Sequence, residues 1–81
     1  MAFAKQTTDD YRVIDLTGGD YISEKGRYFL VDAAVSGVIV YVCPETGLDV
    51  SVTVPDNYIG TYYTNIVRQV GTTASNLIAI Y

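Results

Sequence analysis

Apolar and polar residues alternate most clearly through 48–54, where leucine and valine are separated by aspartate, serine and threonine. Alternation of this kind is typical of a strand with one buried and one solvated face. The preceding run, Val38–Cys43, is apolar on both faces, so both faces need cover. Pro44 suits the first central position of a turn and Gly47 accepts a positive φ. We therefore predict a β-hairpin that belongs to a larger or covered sheet.

Other stretches rich in β-branched and aromatic residues predict further strands, and glycine- or asparagine-containing segments separate them. These strands are expected at 11–16, 28–32, 61–70 (bent near Asn65) and 77–81. Apolar residues nowhere recur at helical spacing over a helical length. The fold class predicted is all-β, a small six-stranded antiparallel β-sandwich or barrel. We expect a single β domain over 11–81, preceded by a flexible N-terminal arm over 1–10.

The last predicted strand, 77–81, is apolar on both faces. It must therefore be central in its sheet or buried against another subunit. A chain of 81 residues is near the lower size limit for unaided folding. Cys43 is the only cysteine and histidine is absent, which excludes an intrachain disulfide and argues against structural zinc. Oligomerisation is the expected additional source of stability.

The net charge and the residue types available for catalysis exclude several classes of function. The net charge of −4 and five scattered basic residues argue against nucleic-acid binding. No apolar run or signal-peptide pattern indicates a membrane segment, so we expect a soluble protein made in the cytoplasm, or in a host cytoplasm. Serine–histidine and cysteine–histidine nucleophile systems are unavailable without histidine. No catalytic, cofactor or metal site is predicted, and we expect a protein that is not an enzyme.

The tyrosines are the main candidates for recognition. Tyr58, Tyr62 and Tyr63 cluster in the sequence beside Asn57 and Asn65. Tyrosine with asparagine is a common mixture at sugar-binding and protein-binding surfaces. The alternative is that these rings pack at an intra- or inter-subunit surface, with only the hydroxyl groups reaching water.

Two motifs carry a resemblance that covers most of the chain from about Asp10. One is the turn Leu16–Asp20 (Leu-Thr-Gly-Gly-Asp), followed by an apolar strand and the hairpin. The other is the ending Val67–Tyr81, in which Val-Arg-Gln-Val leads to Gly-Thr-Thr-Ala and a last apolar strand. The chain resembles small head proteins of tailed phages and gene-transfer agents, the spike-base group at the capsid surface. Three stretches depart from that pattern: the first strand, the loop Ser23–Arg27, and Tyr62–Tyr63, which is bulkier than expected there.

The resemblance implies a non-enzymatic virion structural protein on the phage head surface, either a decoration (cement) protein or a spike base. Its expected partners are capsid proteins, further copies of itself in a homo-oligomer (trimer or higher) and a fibre or spike protein, without nucleic acid or membrane. The alternative function is a carbohydrate- or receptor-binding β module that uses a tyrosine and asparagine surface. The residues predicted at an oligomer or capsid interface are Phe3, Ile39, Tyr41, Tyr58, Tyr62, Tyr63, Leu77, Ile78, Ile80 and Tyr81.

Overall fold

The computed structural model describes residues 11–81, with Lys25 in its backbone only. This part of the chain forms seven strands and one 3-10 turn. They are β1 (Tyr11–Val13), β2 (Tyr21–Ile22), the 3-10 turn Glu24–Gly26, β3 (Leu30–Val35), β4 (Gly37–Val42), β5 (Asp49–Val54), β6 (Ile66–Val67) and β7 (Ser75–Ile80). The all-β prediction is confirmed, with β2 in addition to the six expected strands. The predicted N-terminal arm, including Phe3, lies outside the described residues.

The strands form two antiparallel sheets, one ordered β1-β7-β3 and the other β2-β6-β4-β5. The two sheets contribute side chains to one shared apolar core, as in a sandwich. The fully buried side chains of this core include Phe29, Ile39, Val67 and Ala79. Residues Ile39 and Val67 come from the four-stranded sheet and Ala79 from the three-stranded sheet, so the core joins both layers.

The segment 58–64 closes one side of the sandwich, because it pairs with the free edge of β3. Backbone hydrogen bonds link Ala33 with Tyr58 at 2.7 and 3.0 Å, and Phe29 with Thr64 at 2.9 and 3.0 Å. Gly60 lies between these two bridges, and its N–H donates to the Asp32 carboxylate at 3.0 Å. The chain then enters β6 in the other sheet, so this connection passes directly from one layer to the other.

The C-terminal strand β7 lies in the centre of its sheet, between β1 and β3. This is the first of the two places expected for a strand that is apolar on both faces. Leu77 and Ala79 point into the core and are buried, whereas Ile78 and Ile80 lie on the opposite face and are half-buried. The two faces of β7 therefore have different surroundings.

The hairpin β4–β5 matches its predicted pattern with one exception. Ile39 and Val40, on opposite faces of β4, are both buried, and the outward residues of β5 are exposed. Gly47 has the expected positive φ of 76°. Leu48 was expected on the dry face, and this is wrong, since its side chain is 67 % exposed. Leu48 lies in the turn before β5, where its backbone rather than its side chain is fixed, by a 2.8 Å hydrogen bond from Cys43 N–H to its carbonyl.

The second face of β4 is covered by the segment that follows β6. The N–H groups of Val38 and Val40 donate to the hydroxyls of Thr73 and Thr72 at 2.8 and 2.9 Å. Gly71 passes so close to Val40 that a Cβ there would lie 2.9 Å from a Val40 methyl group. The Gly-Thr-Thr motif therefore has two effects: its threonine hydroxyls complete the hydrogen bonding along one edge of β4, and Gly71 covers the Val40 side chain.

The predicted long strand 61–70 is wrong in extent, since Ile66–Val67 alone forms β6 within it. The bend expected near Asn65 is present. Thr64 explains the interruption: its buried hydroxyl donates to the Val42 carbonyl at 2.7 Å and accepts from the Ile66 N–H at 3.3 Å. These side-chain hydrogen bonds take the place of the backbone-to-backbone bonds that a continuous strand would make here.

Candidate functional site

One candidate binding surface is the outward face of the three-stranded sheet. Tyr11 and Leu30 both lie opposite Ile80, and Val13 lies opposite Ile78. Residues directly opposite one another in a sheet point to the same side, so all five apolar side chains share this face. Asp32, opposite Ile78, lies on it as well, at the border where its carboxylate accepts from Gly60 N–H. We call Tyr11, Val13, Leu30, Ile78 and Ile80 the outer sheet face.

The outer sheet face is partly open to solvent. Tyr11 is 57 % exposed and Val13 is 74 % exposed, while the other three side chains are half-buried. A shallow cavity of about 270 Å³ adjoins it, lined in part by Ile59, Asn76 and Ile78. Contiguous exposed apolar surface on a small domain is typical of a contact site for another protein.

The second candidate surface is a groove at the turn of the β4–β5 hairpin. Its cavity of about 360 Å³ is lined by Tyr28, Tyr41, Cys43, Pro44, Glu45, Tyr62 and Tyr63. We call it the tyrosine groove. Tyr41 and Cys43 come from β4 and its end, Pro44 and Glu45 from the hairpin turn, and the other tyrosines from the segments that flank the bridge between Phe29 and Thr64. The bridge thus brings Tyr28 beside Tyr62 and Tyr63.

The electrostatics of the tyrosine groove are set by its partial burial. Burial raises the pKa of Tyr41, and the neighbouring ionisable groups Tyr62, Tyr58 and Cys43 raise it further. The pKa of the Cys43 thiol is lowered, first because the Thr46 side chain hydrogen-bonds to it, and also because backbone N–H groups of Glu45 and Thr46 point to it. The groove therefore favours the neutral form of Tyr41 and contains a thiol with increased thiolate character.

The structure separates the predicted interface residues into different environments. Ile39 and Leu77 are buried in the core of the same chain, and Tyr81 packs with Phe29 inside the sandwich. Ile78 and Ile80 lie on the outer sheet face, and Tyr41, Tyr62 and Tyr63 line the tyrosine groove. Tyr58 lines a narrow cleft next to that groove, together with Tyr41 and Tyr62. Phe3 lies outside the described residues.

The tyrosine and asparagine platform suggested by the sequence comes together only in part. Tyr62 and Tyr63 line one groove, but Asn57 lines the separate cavity beside the outer sheet face. Asn65 is half-buried and its carbonyl accepts a hydrogen bond from Ser23 N–H at 2.8 Å.

Sequence reasoning missed seven residues of these surfaces. They are Tyr11, Val13 and Leu30 on the outer sheet face, and Tyr28, Cys43, Pro44 and Glu45 in the tyrosine groove. The alternating apolar positions Tyr11 and Val13 were a visible signal for a shared face, but the sequence did not show that β1 pairs with the C-terminal strand. Tyr28 carried no such signal, because its neighbours in the groove are distant in the sequence.

Within residues 11–81, no three carboxylate or thiol groups lie close enough together to hold a metal ion. The same residues contain no helix with the length and apolar character needed to cross a membrane.

The chain matches no protein-family model, no curated protein and no solved structure.

Proposed function

We propose that this chain is a non-enzymatic virion structural protein on the head surface of a tailed phage, where it acts as a decoration protein or a spike base through protein–protein contacts. The observation that carries the proposal is the outer sheet face, where five apolar side chains from three strands lie together. A small domain with so much apolar surface gains stability when a partner covers it.

The partner in the first instance is another copy of the chain. A homo-oligomer places the same patch on every subunit, so one apolar face repeated by symmetry is enough to form a closed assembly. The edge strand β1 lies at the border of this face and has no strand on its second side among the described residues. Side-chain packing and further strand pairing can therefore act at the same interface.

Native mass spectrometry over a dilution series tests the self-association. We expect a trimer or larger ring for the unaltered chain and a monomer for Val13→Asp, because the aspartate would place a charge in the apolar contact. The matched control is Ser51→Asp, at an exposed polar position of β5 on the other sheet. A folded monomer at every concentration would contradict self-association through this face.

Co-expression with the capsid protein encoded on the same genome tests the virion location. A tagged copy should sediment with assembled heads in a density gradient, and Val13→Asp should be recovered at the top of the gradient. A tagged, folded chain that never accompanies assembled heads would refute the structural role.

A second candidate function, carbohydrate or receptor binding, is favoured by the tyrosine groove. Tyr62 is 62 % exposed, and Tyr63 beside it is also exposed, so two rings are open to a ligand. Binding on a glycan array that is lost in Tyr62→Ala would support this function. An array without signal would argue against it.

A further inference from the structure

The tyrosine groove combines aromatic rings with one acidic group and no basic one. Four of its lining residues are tyrosines, and Glu45 is the only charged residue among them. Arg27 directly precedes the groove residue Tyr28 in the sequence. Its guanidinium lies over the Tyr81 ring, outside the groove lining, with its carbon 5.2 Å from the ring centroid. The groove therefore has the composition of a cation site to which the described residues contribute no cation.

Three of the four rings of the groove, those of Tyr28, Tyr62 and Tyr63, are exposed and available to a ligand, whereas Tyr41 packs against the core. The ring–ring contacts found in residues 11–81 join Phe29 to Tyr21 and Tyr81, both outside the groove. The hydroxyls of Tyr28, Tyr62 and Tyr63 make no hydrogen bond within that part of the chain. Aromatic faces attract cations through their negative quadrupole, more strongly where water is partly displaced.

We propose that the tyrosine groove binds an arginine side chain of a partner protein. A guanidinium is planar and weakly hydrated, so it can stack on a tyrosine face and hydrogen-bond to a carboxylate at the same time. Glu45 supplies that carboxylate at the hairpin turn. An apolar ligand such as a proline-rich segment would instead take water from Glu45 without replacing its hydrogen bonds. The arginine belongs to the partner in the protein contacts proposed above, so this inference deepens the proposed function.

Cys43 provides a direct probe, because it is the only cysteine of the chain and it lines the groove. The rate of its alkylation by iodoacetamide is measured while N-acetyl-arginine methylamide is titrated to saturation. A ligand in the groove should slow the reaction. The neutral isostere, N-acetyl-citrulline methylamide, should protect about five-fold less well at equal concentration, since it lacks the charge that the rings and Glu45 recognise.

Variants identify the contacts. Tyr62→Ala should weaken the arginine-dependent protection about five-fold, and Tyr62→Phe should retain it because the ring face remains. Glu45→Gln should weaken it by a similar factor. The control is Tyr11→Ala, a change of another exposed tyrosine on the outer sheet face, which should leave the protection unchanged.

Three results would overturn the inference. They are equal protection by the arginine and citrulline ligands, absence of protection by either, and protection by tetramethylammonium without protection by arginine, which would indicate a quaternary ammonium site. The labelling uses the isolated chain, so a failure of arginine protection counts against the groove inference whether or not the chain sediments with phage heads. Retained arginine protection in a chain that never sediments with heads would refute the virion role and leave the groove inference in place.

Discussion

The hydroxyl groups of Tyr21 and Tyr81 lie 2.8 Å apart and share a hydrogen bond that joins the two sheets. Tyr21 belongs to β2 in the four-stranded sheet, and Tyr81 directly follows β7 in the other. The Phe29 ring lies between them, with its centroid 5.3 Å from each tyrosine centroid. The Glu24 N–H also donates to the Tyr81 hydroxyl at 3.0 Å. Burial and the bond to Tyr81 raise the pKa of Tyr21, so the Tyr21 hydroxyl stays neutral, and either hydroxyl can donate in this bond.

Removing this hydroxyl bridge should destabilise the fold measurably. Tyr81→Phe should lower the free energy of unfolding by about 1 kcal/mol, because two hydrogen bonds are lost while the ring packing remains. Chemical denaturation measures the change. The control Tyr11→Phe removes an exposed hydroxyl and should leave the unfolding midpoint unchanged. Equal midpoints for Tyr81→Phe and the unaltered chain would show that the bridge contributes no stability.

Gly60 should not tolerate a side chain. A Cβ at this position would overlap the Val31 carbonyl and lie 2.7 Å from the Val31 nitrogen, and backbone atoms of a paired strand cannot move aside easily. We expect Gly60→Ala to lower the free energy of unfolding by about 3 kcal/mol or more. Gly18→Ala is the matched control, since a Cβ at Gly18 would have no neighbour within 4 Å. Thermal unfolding curves that coincide for the two variants would contradict the close approach of segment 58–64 to β3.

Thr64→Val should be costly although it preserves shape. The Thr64 hydroxyl, 1 % exposed as a residue, donates to the Val42 carbonyl at 2.7 Å and accepts from Ile66 N–H at 3.3 Å. Valine would leave both buried groups without this partner, which should cost about 1–3 kcal/mol. Thr53→Val changes an exposed threonine of β5 and should be nearly neutral. Denaturant titration gives the free energy of unfolding of both variants. Equal values for Thr64→Val and Thr53→Val would show that the Thr64 hydroxyl does not stabilise the fold.

Acid should weaken the contact between the Leu16–Asp20 turn and the segment after β6. The Asp20 carboxylate accepts from Gln69 N–H and from the Arg68 guanidinium, each at 2.8 Å, and these bonds lower its pKa below the ordinary value of 3.8. A carboxyl group with a lowered folded-state pKa stabilises the fold fully above its unfolded pKa and loses that contribution as the pH falls through the folded value. Stability should therefore decline below pH 3.8.

Asp20→Asn provides the comparison for this pH dependence. The variant should be less stable than the unaltered chain at neutral pH, and the difference should shrink as the pH falls below 3.8. The measurement is the free energy of unfolding in urea across this pH range. If the free energies of unfolding of the two proteins stay a constant distance apart across this pH range, Asp20 is not the carboxylate that causes the loss of stability in acid.

The order of apolar and polar residues correctly predicted those strands whose two faces differ in burial or are both covered. The alternation through 48–54 predicted one dry and one wet face, and both are present within Asp49–Val54, with Leu48 as the exception. Two-sided apolar runs at Val38–Cys43 and in the C-terminal strand predicted buried or central strands. In each case the side-chain period of two in a strand maps directly onto the two faces of a sheet.

The misassigned regions depend on contacts that are distant in the sequence. Residues 61–70 have strong β propensity, but the Thr64 hydroxyl bonds to Val42 and to its own neighbour Ile66, which ends the ladder. Tyr21–Ile22 follows a glycine-rich turn, yet it forms β2 because Ile66–Val67 offers an open edge. Propensity describes a residue in its own segment and contains no information about which edge is left free.

The all-β class, the hairpin with its glycine turn and the need of the last strand for cover all follow from the order of residues alone, since side-chain period and backbone freedom dictate them. The composition of the two surfaces depends instead on strand pairing. Pairing of β1 and β3 with β7 assembles the outer sheet face, and the bridge from Phe29 to Thr64 brings Tyr28 to the tyrosine groove. Both surfaces are formed by residues far apart in the chain, so they exist only once strand order and register are fixed.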